Sequence, residues 1–335
     1  MAEVVLRRIQ AGIETTRGTA VAATRKVYGT TAVTRVQPRK WAVEDRGMFE
    51  DKYRGNPELI DAGFTLTCDA TFEDLPFYSA LFYNGGISET GSGATGYTWT
   101  NGPDLTSDSL KTVTLEVGDE SVAWQGPFGT VDTADFTFAL DDTVKVALGG
   151  WVQDWLAPGL TGVTFTGFTP ALAEHSVESV SGWQAKLYID AAGGTPGTTQ
   201  VTGRFKAGAW SYHNQNKRKY FGDGTALFSK LGRGRRQTHC QITFEALDIN
   251  QYSAYWASPG LQEAIIRVKL LGTGIVGSTG PVPKEMDFDF YGYWDTFVLG
   301  NVDTNTTFQM DLQAVYDTTA AKASNIKVIN GNSTL

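Results

Sequence analysis

Histidine, cysteine and methionine are scarce in this chain, which holds 3 His, 2 Cys and 4 Met in 335 residues. None of His175, His213 and His239 stands at a metal-ligand spacing from another His or a Cys. His239 adjoins Cys240, but neighbours along a strand point to opposite faces, so the pair does not converge on one ion. Two cysteines are too few for a disulfide framework, and Cys68 and Cys240 are expected to pack as small apolar residues, each in its own core. No run approaches the eighteen or so apolar residues of a membrane span. The opening Met1-Ala2-Glu3-Val4-Val5-Leu6-Arg7-Arg8 lacks the apolar stretch of a secretory signal, so maturation in the cytoplasm with no membrane partner is the expectation.

Catalytic patterns are missing too. No strained-elbow motif surrounds any serine. Gly272-Thr273-Gly274-Ile275-Val276-Gly277 fits the dinucleotide spacing, yet Ser278-Thr279-Gly280-Pro281-Val282-Pro283 cannot form the helix whose N-terminus would meet a pyrophosphate, and a flexible loop is expected instead. The acid pairs Asp141-Asp142, Asp119-Glu120 and Asp287-x-Asp289 could serve glycosidase chemistry only across a cleft, whereas acids in turns and on solvated strand faces are far commoner. The expectation is a protein without catalytic residues and without a cofactor.

Abundant aromatics, frequent Gly and Thr, and short runs alternating apolar with polar argue instead for a mainly β fold. The stretch Cys68, Thr71, Phe72, Glu73, Leu75 recurs as Cys240, Thr243, Phe244, Glu245, Leu247, and Tyr78-Ser79-Ala80 recurs as Tyr252-Ser253-Ala254. Each copy reads as strand, turn and short helix, through Phe82 or Trp256. Thr16, Gly18, Thr19 and Arg25 match Thr195, Gly197, Thr198 and Arg204, and Trp41 matches Trp210. Gly-x-Val-Asp-Thr at 129–133 and 300–304 is set aside, because strand order would pair different segments. Two tandem domains are therefore expected, residues 1–172 and 173–335, the first with an N-terminal arm and an inserted loop at 85–110. The last dozen or so residues read as a loosely held tail.

The two halves differ in charge. Residues 1–172 carry 13 Lys plus Arg against 22 Asp plus Glu, a balance of −9, while residues 173–335 carry 15 against 14, or +1. A charged stretch, 44–61, contains Arg46, Lys52 and Arg54 and mixes both signs. Its counterpart, 214–237, is basic: Lys217, Arg218, Lys219, Lys230, Arg233, Arg235 and Arg236 face only Asp223. An acidic stretch from Asp104 to Asp142 contains Asp119, Glu120, Asp141 and Asp142, with Lys111 as its lone base. Tyr220, Phe221 and Phe228 interleave with the basic charges, but a net acidic chain is a poor duplex binder, so the basic loop is expected to be solvated or to dock on an acidic neighbour.

Gly12-Ile13-Glu14-Thr15-Thr16-Arg17-Gly18-Thr19-Ala20-Val21-Ala22, the charged loop after it and the strand-to-helix stretch Phe64 to Phe82 resemble the tail tube proteins of long-tailed bacteriophages with non-contractile tails, in the kind where one chain carries two tube domains. The resemblance implies two β-sandwich or barrel domains, each with a short flanking helix. It also implies six domains to a ring, hence a homotrimer of pseudo-sixfold symmetry, and rings stacked into a tube that conducts double-stranded DNA into the host. It places the protein in the virion tail, assembled in the host cytoplasm beside tape-measure, tail-tip and tail-terminator proteins. By position the stacking loops are Glu44 to Asp61 and Asn214 to Gln237, with Asp119, Glu120, Asp141 and Asp142 as their acidic partner face. A pair of carbohydrate-binding β-sandwiches using exposed Trp, a ring component of the head–tail junction, and a hydrolase are the alternatives.

Overall fold

The computed structural model describes residues 7–50, 52, 54–83, 87–102, 110–119, 121–157, 168, 172–246, 262–302 and 305–335. It is mainly β. The first half runs β1 (Arg8–Ile13), β2 (Arg25–Lys26), β3 (Thr30–Val36), β4 (Arg39–Ala42), β5 (Arg54–Pro57), β6 (Asp61–Asp69), helix α1 (Leu75–Phe82), β7 (Ile87–Ser92), β8 (Gly96–Asn101), β9 (Val113–Gly118), β10 (Ala123–Ala139) and β11 (Lys145–Trp151). The second half runs β12 (Ala185–Ala191), β13 (Phe205–His213), β14 (Lys217–Lys219), β15 (Lys230–Gly232), β16 (Gln237–Glu245), β17 (Glu263–Val276), β18 (Val282–Val302), β19 (Asn305–Ala314) and β20 (Ser324–Asn330).

The alternation read from the sequence sets the faces. Phe64, Leu66 and Cys68 of β6 are buried while Thr65 and Thr67 are exposed, and β16 buries Cys240, Ile242 and Phe244 while His239 and Gln241 face out. Helix α1 is apolar all round and every one of its residues is buried, so it is an internal element rather than a flanking one. Pro76 sits in its first turn, where a missing N–H costs nothing, and Thr71 Oγ1 accepts the Asp74 N–H at 3.0 Å. The expected second helix, Leu247 to Trp256, lies outside the described residues.

One order of pairing occurs twice. In the first half β1 pairs β9, β9 pairs β10, β10 pairs β11, β11 pairs β6, β6 pairs β3, and β4–β5 form a hairpin between β3 and β6. In the second half β12 pairs β17, β17 pairs β18, β18 pairs β19, β19 pairs β16, β16 pairs β13, and β14–β15 form the hairpin. A bulge fixes the correspondence. It interrupts β10 between Val131 and Thr133 and β18 between Trp294 and Thr296, and each bulge holds an Asp followed by Thr, Asp132-Thr133 and Asp295-Thr296. Stepping outward across the ladders, Gly150 and Leu312 share a place, then Phe64 and Cys240, then Val33 and Trp210.

This register corrects the sequence match. Phe64, not Cys68, occupies the place of Cys240, and Cys68 that of Phe244. Both alignments keep the buried face buried, because the slip is an even number of residues. Trp41 is not the counterpart of Trp210 either: Trp41 is 49% exposed on the hairpin, and Trp210 is 2% exposed in the core. Gly18 and Gly197 do correspond, both with positive φ (+76° and +88°) in loops tied to a buried acid.

Three further expectations change. Residues 87–101, taken as part of the inserted loop, form the β7–β8 hairpin, and Trp99 is buried against the chain's end with its indole N–H on Asn330 Oδ1 at 3.0 Å. The supposed tail supplies β20, which pairs β18 and β8 and buries Ile326 and Val328. Apolar–polar alternation in Asn325-Ile326-Lys327-Val328-Ile329 carries that strand signal. Gly272 to Val276 is the end of β17, not a loop.

The two halves are laced together. β10 pairs β13 from Thr133 opposite His213 to Ala139 opposite Ala207, and the buried apolar residues form one cluster drawing on both halves. At its centre Phe136, Trp210 and Phe288 meet with centroids 5.0–5.9 Å apart, and Phe82 at the end of α1 and Tyr83 just after it pack on Trp210 and Tyr212.

Candidate assembly surfaces

Eight strands lie side by side in the order β3-β6-β11-β10-β13-β16-β19-β18, each antiparallel to the next. One face of this sheet covers the core; the other is open and built of short polar side chains. One row across it reads Thr30, Thr67, Ala147, Asp135, Ser211, His239, Gln313, and another Asp69, Lys145, Thr137, Ala209, Gln241, Asp311, Thr296. The charges on these rows are mostly acidic and locally bonded. Lys145 lies 2.8 Å from Asp69 and 3.2 Å from Asp142, His213 lies 3.2 Å from Asp135, and Gln241 donates to Asp311 at 2.7 Å. A groove of about 460 Å³ near the β3 edge is lined by Thr34, Gly63, Thr65, Thr133, Gly149 and Arg218 among others.

Both hairpins leave the sheet at the end where β10 bulges, and their surroundings differ. The second docks on the first half. Phe228 is fully buried with its ring 5.0 Å from Phe128, Tyr220 donates to the Ile60 carbonyl at 2.9 Å, and Gln153 donates to that of Phe228 at 2.8 Å. Arg218 forms an ion pair with Asp61, holding that carboxyl below the usual range, and stands over the Trp151 ring at 5.4 Å. Arg236 donates to Tyr212 Oη at 3.4 Å and Arg233 is half-buried. Lys217, Lys219 and Arg235 remain exposed. On the first hairpin Arg46 and Arg54 both bond Glu44, which lowers its pKa, while Lys52 is exposed. Its tip presents Val43, Met48 and Phe49 to solvent, the last fully.

The acids predicted to form one partner face are split. Asp141 and Asp142 form the turn after β10, whereas Asp119 precedes it, at the far end of a 17-residue strand. Asp119 is also occupied locally, accepting from the Ser121 and Val122 N–H groups at 2.7 Å. Glu120 lies outside the described residues. Sequence spacing alone joined acids that β10 holds apart. The basic hairpin and the Asp141-Asp142 turn stand at opposite ends of the sheet.

Two acids to which sequence reasoning gave no role hold the local backbone. Glu14, of the Glu-Thr-x-x-Gly-Thr-Ala opening, is buried and accepts from Gly18 N (2.9 Å), Thr112 Oγ1 (2.7 Å), Thr114 Oγ1 (2.9 Å) and Phe128 N (2.7 Å). It thus ties the arm to β9 and to the left-handed backbone at Phe128 (φ 57°). Asp132 accepts the Asn216 N–H at 2.7 Å, and desolvation raises its pKa. The Asp287-x-Asp289 pair sits inside a network of ion pairs. Arg267 bonds Asp289 at 2.6 and 2.8 Å and lies 3.5 Å from Asp287, while Lys269 and Lys327 bond Glu285 at 2.7 and 2.8 Å.

No protein-family model matches this chain, and no curated protein is significantly similar to it. Cys68 and Cys240 are buried free thiols, and burial pushes them up to about 11 and about 12. Among the described residues no helix is long and apolar enough to cross a membrane, and no group of three or more His, Cys, Asp or Glu could hold a metal ion.

Proposed function

We propose that this is a structural virion protein whose chains assemble into rings stacked as the tail tube of a long-tailed phage, with the open sheet face lining the channel for DNA. The observation that carries the reading is the eight-stranded sheet: polar on its open face, assembled from two halves of like pairing order, and ending, among the described residues, on two edges without a second partner, β3 and β18 from Thr296 onward. A lining for duplex DNA must not hold it, since the duplex carries one negative charge per roughly 1.7 Å and many Lys or Arg contacts would trap it. Rows of Thr, Ala, Gln and bonded acids meet that requirement.

The pairing order fits two tandem β-sandwich or barrel units, the first ending near 172. A ring of three chains would set about 24 strands side by side, and at about 4.8 Å between neighbours the wall closes at a diameter of roughly 37 Å before tilt widens it. Rings would stack head to tail, with Lys217, Lys219 and Arg235 at one end of the sheet meeting Asp141 and Asp142 at the other. The tape-measure, tail-tip and tail-terminator proteins would be its partners in the virion, after assembly in the host cytoplasm. Negative-stain microscopy of the concentrated protein tests this: hollow rods or stacked rings are expected, and a field of single chains under all conditions contradicts it.

A further inference from the structure

Each outer edge of the eight-stranded sheet is one half of a junction that the chain already contains whole. β13 is paired on both sides, by β16 and by β10, whereas β3, which stands in the same place in the first half, is paired by β6 alone among the described residues. From Thr133 to Thr137, β10 is paired on both sides, by β11 and β13; its counterpart on β18, from Thr296 onward, is paired by β19 alone among the described residues. Two unpaired antiparallel edges remain, complementary by the chain's own precedent.

We infer that a second copy of this chain pairs its β18 edge, Thr296 to Val302, with β3 of the first, Thr296 opposite Val36 and Val302 opposite Thr30. The register is carried over from β10·β13, where Thr133 faces His213 and Phe136 faces Trp210. Leu299 then takes the place of Phe136 and lies opposite Val33. Two independent observations point to this occupant. Leu299 is 64% exposed where Phe136 is fully buried, an apolar side chain left largely open, among the described residues, on the core side of an edge strand. Asp295, at the bulge equivalent to Asp132, is exposed. Asp132 accepts the N–H of Asn216 just beyond β13, and the counterpart donor for Asp295 is the N–H of Arg39, just beyond β3 of the neighbour.

The contact joins unlike surfaces head to tail, so it propagates until the chain of copies closes, and it makes the polar face continuous from copy to copy. The inference rests on the ring-building reading and specifies the contact by which rings would close.

The test is a full-length variant with Val298→Cys and Thr34→Cys, residues placed directly opposite by this register and separated within one chain by six intervening strands. Cys68 and Cys240 are buried and do not compete. Oxidation of the assembled protein is expected to give a ladder of covalent multiples that reduction collapses to one band. Val298→Cys with Thr30→Cys, about 13 Å out of register, is expected to give none. Leu299→Asp is expected to abolish assembly with an unchanged melting temperature, because the side chain is exposed in the single chain. Assembled particles whose 298–34 pair stays unlinked, or links no better than the shifted pair, overturn the junction and leave the ring-building reading standing. A chain that stays single at every concentration, with no cross-link, overturns both.

Discussion

Glu14 accounts physically for the most specific motif in the sequence. Its carboxylate gathers four donors from three segments, two of them backbone N–H groups, and that of Phe128 is buried. Glu14→Ala should therefore destabilise the chain by about 2 to 4 kcal/mol, given about 1 to 3 kcal/mol for each buried donor left unsatisfied. Chemical denaturation of the variant measures it, and a loss within error of zero contradicts the assignment. Asp190 makes the corresponding bonds to Gly197, Thr198 and Thr199 in the second half. At Arg267 the stake is higher. Removing its guanidinium in Arg267→Met leaves Asp287 and Asp289 buried beside each other without their shared counter-charge, a loss of about 3 to 5 kcal/mol that a thermal melt would register. The acid pair 287/289 was legible as a pair, but its role was not: the neutralising Arg267 and Lys327 come from strands that only the pairing of β17, β18 and β20 brings alongside.

Alternation marked the chain as mainly β, and the strand-to-helix stretch read from Phe64 to Phe82 is where β6 and α1 stand. Register did not follow. The Cys68 and Cys240 segments match as text, yet the bulges at Asp132 and Asp295 show that Phe64 and Cys240 share a place; only long-range pairing distinguishes two even-numbered registers. β20 and the β7–β8 hairpin were mistaken for loop and tail because each is short and acquires its burial from the other. At the hairpins, Phe228 is buried on the first half while Phe49 is fully exposed. If the first hairpin docks on the next copy as the second docks within the chain, Phe49→Asp should weaken self-association at least tenfold without lowering the melting temperature. Sedimentation of the variant beside the parent protein checks both.

For the molecule as a whole, the difference in charge between the two halves does not gather into one acidic face. The acids expected in one face are parted by the length of β10, and Arg218 is already engaged by Asp61, whereas Lys217, Lys219 and Arg235 are exposed and are the cations the proposed stacking would use. Reversing these three to Glu should block the stacking of rings without blocking their formation, and raised salt should weaken stacking of the parent protein, since exposed pairs are screened within about 10 Å at 0.1 M salt. Length distributions by electron microscopy at several salt concentrations would report it; unaltered rods would remove electrostatics from the account. The central claim, that unlike edges of the same sheet join copies around a closed polar channel, is tested most directly by native mass spectrometry of the smallest assembled particle. A closed species of three 36.3-kDa chains is the result predicted; a species that ends at two chains, as a self-complementary contact would give, contradicts it.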